Sequence, residues 1–198
     1  MITDAELTAV AEERFRRSQE LPRAFFREEA DRIARACYAM AGRFRRGGRL
    51  LSFGSGHWVT DAQHVAVEFV HPVIVGNRAL PGLCLANDNA LLAAAPTVAR
   101  DRYRDGLALL ARPDDLVVAF SDDGADEDVA RGVTWAREHG LLTLALSGLP
   151  GEGLAECRPD YLFVVPSCDP LLVQEVLETL VHVLYELVHV FLEEGRMA

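Results

Sequence analysis

The chain lacks what would place it in a bilayer, in an oxidising compartment or on nucleic acid. No apolar run reaches the ~18–20 residues needed to cross a membrane. The nearest approach, Leu171–Leu192, is interrupted by Gln174, Glu175, Glu178, His182 and Glu186, and reads as a buried helix. No segment resembles a signal peptide. The cysteines Cys37, Cys84, Cys157 and Cys168 show no paired spacing and form no CxxC, as expected of reduced thiols in the cytoplasm. Positive charge is short: the formal net charge is −10. That argues against a nucleic-acid footprint and against electrostatic attachment to anionic lipid. The N-terminal arginines (Arg14, Arg16, Arg17, Arg32, Arg35, Arg43, Arg45, Arg46, Arg49) alternate with Glu and Asp and read as solvated helix faces. Repeats, low-complexity segments and long linkers are missing too. The 198 residues therefore read as a single domain, 1–198, and a 50% hydrophobic content supplies one sizeable core.

Thr3 or Asp4 caps a first helix running to about Ser18, with Leu7, Val10, Ala11 and Phe15 at helical spacing. Leu21-Pro22 reads as a break. A second helix follows from about Phe25 to Arg46 and stops at Gly47-Gly48. Residues 1–47 thus form a helical extension suited to packing or oligomerisation. Strands are expected at Leu50–Phe53, Gly82–Leu85, Leu116–Phe120, Leu141–Leu146 and Tyr161–Val165. Helices are expected at Val59–Val70, Ala90–Ala95, Val98–Leu110, from the Ser121–Asp126 turn to about Gly140, around Leu154, and at Pro170–Glu194. Strands alternating with helices predict an α/β fold: a five-stranded parallel sheet flanked by helices in three layers, flavodoxin- or Rossmann-like, with two helices ahead of it.

The chain is organised around residues 49–68. An apolar strand runs into the turn Gly54-Ser55-Gly56-His57-Trp58 and then into a helix, and ligands of open α/β sheets bind beside such turns. The helix sets His64 and Glu68 four residues apart on one face. On the last helix Gln174 and His182 are eight residues apart, about 80° around the axis. If the two helices pack together, two imidazoles, a carboxylate and an amide oxygen converge. That set suits a borderline metal such as zinc, or a general acid/base pair. The plainer alternative is ordinary pairing on helix faces, with Glu178 and Glu186 flanking His182 at four-residue spacing.

Two strand-to-helix turns, Gly54–Trp58 and Ser121–Asp126, are placed to receive an anion at backbone N–H groups. Around the second turn Asp122, Asp123, Asp126, Glu127 and Asp128 cap the helix and would repel a phosphate dianion. Asp61 and Asp88 sit near turn ends, where they could bind sugar hydroxyls or simply cap helices. Trp58 would cover a ligand or fill the core.

These residues resemble the SIS (sugar isomerase) domain family, in particular its phosphoheptose isomerase branch. The likeness spans nearly the whole chain. It includes Gly47-Gly48-Arg49-Leu50-Leu51, the Gly-x-Gly turn, Asp61-Ala62-x-His64-x3-Glu68, Leu80-Pro81-Gly82-Leu83-Cys84-Leu85, Trp135-Ala136-Arg137-Glu138-His139-Gly140, and Gln174-Glu175 with His182. The resemblance implies zinc at His64, Glu68, Gln174 and His182, with Glu68 and His182 as the acid/base pair of an aldose–ketose conversion through an enediol. It also implies a homotetramer with sites at subunit boundaries. The candidate substrate-binding positions around the two turns are Ser55, Gly56, Trp58, Asp61, Asp88, Ser121, Asp122, Asp123 and Gly124, of which only Ser121 and Gly124 keep the family's residues in the second turn.

The departures fall where phosphate would sit. The family's Gly-Asn-Gly-Gly-Ser is here Gly54-Ser55-Gly56-His57-Trp58, and its Ser-Thr-Ser-Gly-Asn-Ser is Ser121-Asp122-Asp123-Gly124-Ala125-Asp126. The arginine expected shortly after Glu68 is replaced by a stretch containing Pro72. Two functions are compatible with this. One is a metal-dependent sugar or sugar-phosphate isomerase with an altered substrate. The other is a non-catalytic SIS module, an oligomeric scaffold for a partner protein.

Overall fold

A computed structural model describes residues 3–87 and 101–194. The expected Ala90–Ala95 helix, the start of the Val98–Leu110 helix and Asp88 lie outside the described residues.

The two expected N-terminal helices are one. Helix α1 (Asp4–Arg45) is continuous, and Thr3 and Glu6 close its first turn as a reciprocal capping box. Pro22 lies inside it, where a missing N–H and ring crowding cost about 3 kcal/mol. Contacts on both sides of Pro22 oppose that cost. Ahead of it, Arg14 pairs with Glu175 at 2.7 Å and Arg17 with Asp169 at 3.2 Å. Beyond it, Phe25, Ile33, Ala36, Cys37 and Met40 are buried, and α1 lies along the last helix, α6 (Pro170–Glu194). Tertiary packing overrides the local breaker.

The rest alternates as expected: β1 (Leu50–Gly54), α2 (Trp58–Val70), β2 (Gly82–Cys84), a 3₁₀ turn at Leu85–Asn87, α3 (Arg102–Leu110), β3 (Leu116–Ser121), α4 (Glu127–Glu138), β4 (Leu142–Ser147), α5 (Glu152–Glu156), β5 (Tyr161–Val164), then α6. All pairings are parallel, in the order β2-β1-β3-β4-β5. Every residue of β1, β3 and β4 is buried. Parallel strands covered on both faces require such unbroken apolar runs. At the amino ends of β1 and β3, the buried Asp115 accepts from the backbone N–H groups of Arg49 and Arg112 and pairs with the Arg49 guanidinium at 2.7 Å.

The strand order reverses between β1 and β3. Their carboxyl ends open a crevice there, the usual ligand position in open α/β sheets. The Gly54–Trp58 and Ser121–Asp126 turns are its two rims.

Candidate functional site

The first rim depends on glycine. A Cβ on Gly54 would lie 2.9 Å from the Trp58 carbonyl oxygen and 3.0 Å from Phe120 Cβ, and Gly56 adopts φ +60°. The Tyr103 hydroxyl donates to the Gly54 carbonyl from below. Trp58 does not face the crevice as a substrate-covering residue would. It is 1% exposed and stacks on Phe120, with ring centroids 6.1 Å apart. Its large apolar surface is spent in the core, and it serves the site as a wall.

The second rim has its donors occupied. The Gly124 N–H donates to Ser121 Oγ at 3.1 Å, and the Ala125 N–H to Asp123 Oδ1 at 2.9 Å. Asp126 caps α4 by accepting from the Val129 N–H at 2.9 Å. Its other oxygen accepts from Ser55 Oγ at 2.5 Å, which joins the two rims. Groups that would hold a bound anion therefore already hold the protein's own hydroxyl and carboxylate oxygens. The Asp122 side chain is exposed, while its carbonyl accepts from the Gly148 N–H at 2.9 Å. Beside this rim, Asp122, Asp123, Pro150, Ser167, Cys168 and Val173 line a cavity of about 230 Å³. Two residues beyond Asp126, burial raises the pKa of the Asp128 carboxyl, which Arg102 approaches to 3.6 Å.

The second half of the site lies between α2 and α6. Asp61 is 1% exposed and accepts from the Gln174 amide nitrogen with both oxygens, each at 3.1 Å. That acceptor fixes the amide, so the Gln174 carbonyl oxygen is the end available to a ligand. One turn on, His64 meets two carboxylates: Nε2 lies 3.2 Å from Glu68 Oε1, and Nδ1 lies 2.5 Å from Glu178 Oε2. The His182 ring stands edge-on to His64, with centroids 5.4 Å apart. The ligand atoms of His64, Glu178 and His182 all lie within 4.8 Å of one another. Burial, with Asp61 beside it, pushes the Glu178 carboxyl up to about 7 against the opposing pull of His64.

Of the four residues expected to converge, His64 meets His182 and Glu68, while Gln174 is held by Asp61. His64 and His182 meet, Gln174 is one turn away on Asp61, and Glu68 lies against the opposite ring nitrogen of His64 from Glu178. Glu178, which spacing offers with Glu186 as a plain helix-face partner of His182, makes its contact with His64. The missed signal was the spacing Gln174, Glu178, His182, an i, i+4, i+8 stripe down one face of α6. Two imidazoles, carboxylates and an amide oxygen are a donor set that fits zinc or a similar divalent ion.

The family model for the SIS domain matches residues 15–148. The phosphoheptose isomerase of Solidesulfovibrio magneticus is 36% identical over 175 residues, covering 87% of this chain and 85% of the relative. That of Thermodesulfovibrio yellowstonii is 34% identical over 175 residues, covering 86% and 85%. The chain belongs to the SIS-domain family, in its phosphoheptose isomerase branch. The solved phosphoheptose isomerase from Neisseria gonorrhoeae superposes on this SIS domain with a TM-score of 0.83, covering 92% of this chain and 98% of that one at 23% identity. At that identity the superposition speaks for the fold, and the five-stranded parallel sheet of this SIS domain is the expected one. Among the described residues, no helix is long and apolar enough to cross a membrane.

Proposed function

We propose that this SIS-domain protein is an aldose–ketose isomerase whose sugar substrate carries no phosphate at the end that enters the crevice. The phosphoheptose-type relatives supply the reaction class. The contact that carries the altered substrate is Asp126, which bridges the α4 cap and Ser55 where an anion would otherwise take those donors. A sugar hydroxyl can use the same rim, since Asp122 and Asp123 accept hydrogen bonds from neutral ligands. His64, Gln174, His182 and a carboxylate would hold the divalent ion that the family implies, zinc by chemistry. Bound there, it would polarise the carbonyl and hydroxyl oxygens of the substrate. Glu68, buried against His64, moves the proton between the two carbons, and His182, exposed at the mouth, serves the oxygens. A homotetramer in the cytoplasm completes this reading. The exposed apolar residues Leu7, Val10 and Phe15 on α1 supply a surface for self-association.

The test is solvent deuterium exchange at the carbon next to the carbonyl, followed by NMR on zinc-loaded protein with free and phosphorylated ketoses. Faster exchange with the free sugars is expected. A clear preference for the phosphorylated forms would overturn the altered substrate. No exchange with any sugar would leave the chain as a binding module.

A further inference from the structure

We propose that a second ligand site lies at the amino end of the sheet, against the end of α1, and that it takes a nucleotide. Arg43, Arg45 and Arg46 receive its phosphates and the ring of Tyr38 receives its base. The site is separate from the crevice and does not rest on the isomerase reading.

The chain carries a formal net charge of −10. Yet one cavity of about 480 Å³ is lined by Tyr38, Gly42, Arg43, Arg45, Arg46 and Leu142, and among the described residues no carboxylate lines it. That volume is in the range of small-molecule pockets. Positions 38, 42, 45 and 46 follow helical spacing, so α1 presents them together. Leu142 is the first residue of β4. The cavity therefore lies about 20 Å, the length of a six-residue strand, from the carboxyl ends that form the crevice.

Arginines at the end of a helix ordinarily complement its carbonyl pole, and that role uses only part of these three. Arg43 Nη1 donates to the Gly140 carbonyl at 3.1 Å and Arg45 Nη2 to the Phe191 carbonyl. Arg46 Nε donates to Asp114 at 2.5 Å, a carboxylate that Arg43 also approaches to 3.9 Å. Each guanidinium carries five N–H donors, so most remain open to a ligand, and Asp114 offsets one positive charge of three. Arg46 Nη1 folds back over Gly42, 3.6 Å from where a Cβ would sit, which keeps its fork beside the cavity. Planar guanidinium forks match phosphate oxygens two at a time. Tyr38 supplies the other half. Its ring stands edge-on to Phe191, with centroids 5.6 Å apart, and is still 62% exposed. A held but uncovered aromatic ring at the mouth of a cationic cavity is a stacking platform for a base.

The test is calorimetry on the full chain at low salt, with ADP and inorganic pyrophosphate as probes. Both should bind, ADP about tenfold more tightly, as stacking of one base contributes. Tyr38→Ala should remove the advantage of ADP and leave pyrophosphate binding unchanged. Arg45→Gln combined with Arg46→Gln should weaken both probes more than ~10-fold. Replacing the same two arginines by lysine, which keeps the charge and loses the fork, should fall between. Tyr38, Arg45 and Arg46 are exposed, so each variant should melt with the parent. Binding of neither probe, or ADP binding unchanged in the double glutamine variant, would overturn the site. Equal affinity of the parent for ADP and pyrophosphate would overturn the nucleotide and leave a plain anion site.

Discussion

Asp126→Ser separates the two jobs of that carboxylate. Serine caps a helix about as well as aspartate, so the Val129 N–H keeps a partner and α4 keeps its start. Removed are the acceptor that holds Ser55 and one negative charge on the crevice rim. A phosphate dianion placed about 5 Å from that charge, at an effective dielectric of 20–80, is repelled by roughly 2–7 kcal/mol. Solvent reaches this rim, so the lower end applies, and about 2 kcal/mol is roughly a 25-fold change in affinity. The Ser55 Oγ donor becomes available at the same time. Inorganic phosphate and a ketose phosphate, titrated calorimetrically against parent and variant, should therefore bind the variant at least tenfold more tightly. Adding Asp122→Ser and Asp123→Ser should extend the gain. A folded variant whose melting temperature matches the parent, yet whose phosphate affinity is unchanged, would refute the idea that Asp126 occupies an anion seat.

Three further perturbations probe the framework. Pro22→Ala restores an N–H inside α1 and should raise stability by about 1–3 kcal/mol, a melting shift of several degrees, without altering metal binding; an unchanged or lower melting temperature would mean that α1 has adapted to proline. Gly132→Ala sits in α4, where helix propensity favours alanine by about 1 kcal/mol. Its Cβ would nevertheless lie 2.9 Å from both Phe53 and Tyr103, and overpacking of about 1–3 kcal/mol should win, giving net destabilisation in urea. Cys37 is fully buried, and burial pushes its thiol up to about 12. Because a raised thiol pKa keeps the group protonated until pH nears 12, Cys37 should stay unlabelled at pH 8 in a native thiol assay, while the exposed Cys168 reacts fast. Loss of the fast phase in Cys168→Ser checks the assignment.

The sheet was legible in the chain because its signals are local. Runs such as Leu116–Phe120 are too apolar for anything but a strand covered on both faces, and each is bounded by glycine, aspartate or proline. The last helix was legible to its ends, since its polar interruptions keep helical spacing. The Pro22 break was misread for the complementary reason. A breaker acts within one turn, whereas the packing of α1 along α6 and the Arg14–Glu175 pair come from some 150 positions away.

The site divides in the same way. Sequence by itself determined which chemistries were present: two histidines and a glutamate at helical spacing, a glutamine, and an acidic second turn. Only the tertiary structure decided the partners. A stripe along one helix shows which side chains face the same way and says nothing of the rotation of the helix opposite. That rotation turned Glu178 onto His64 and set Gln174 on Asp61, while packing of the sheet and its turns sank Trp58 against Phe120 and brought Asp126 to Ser55.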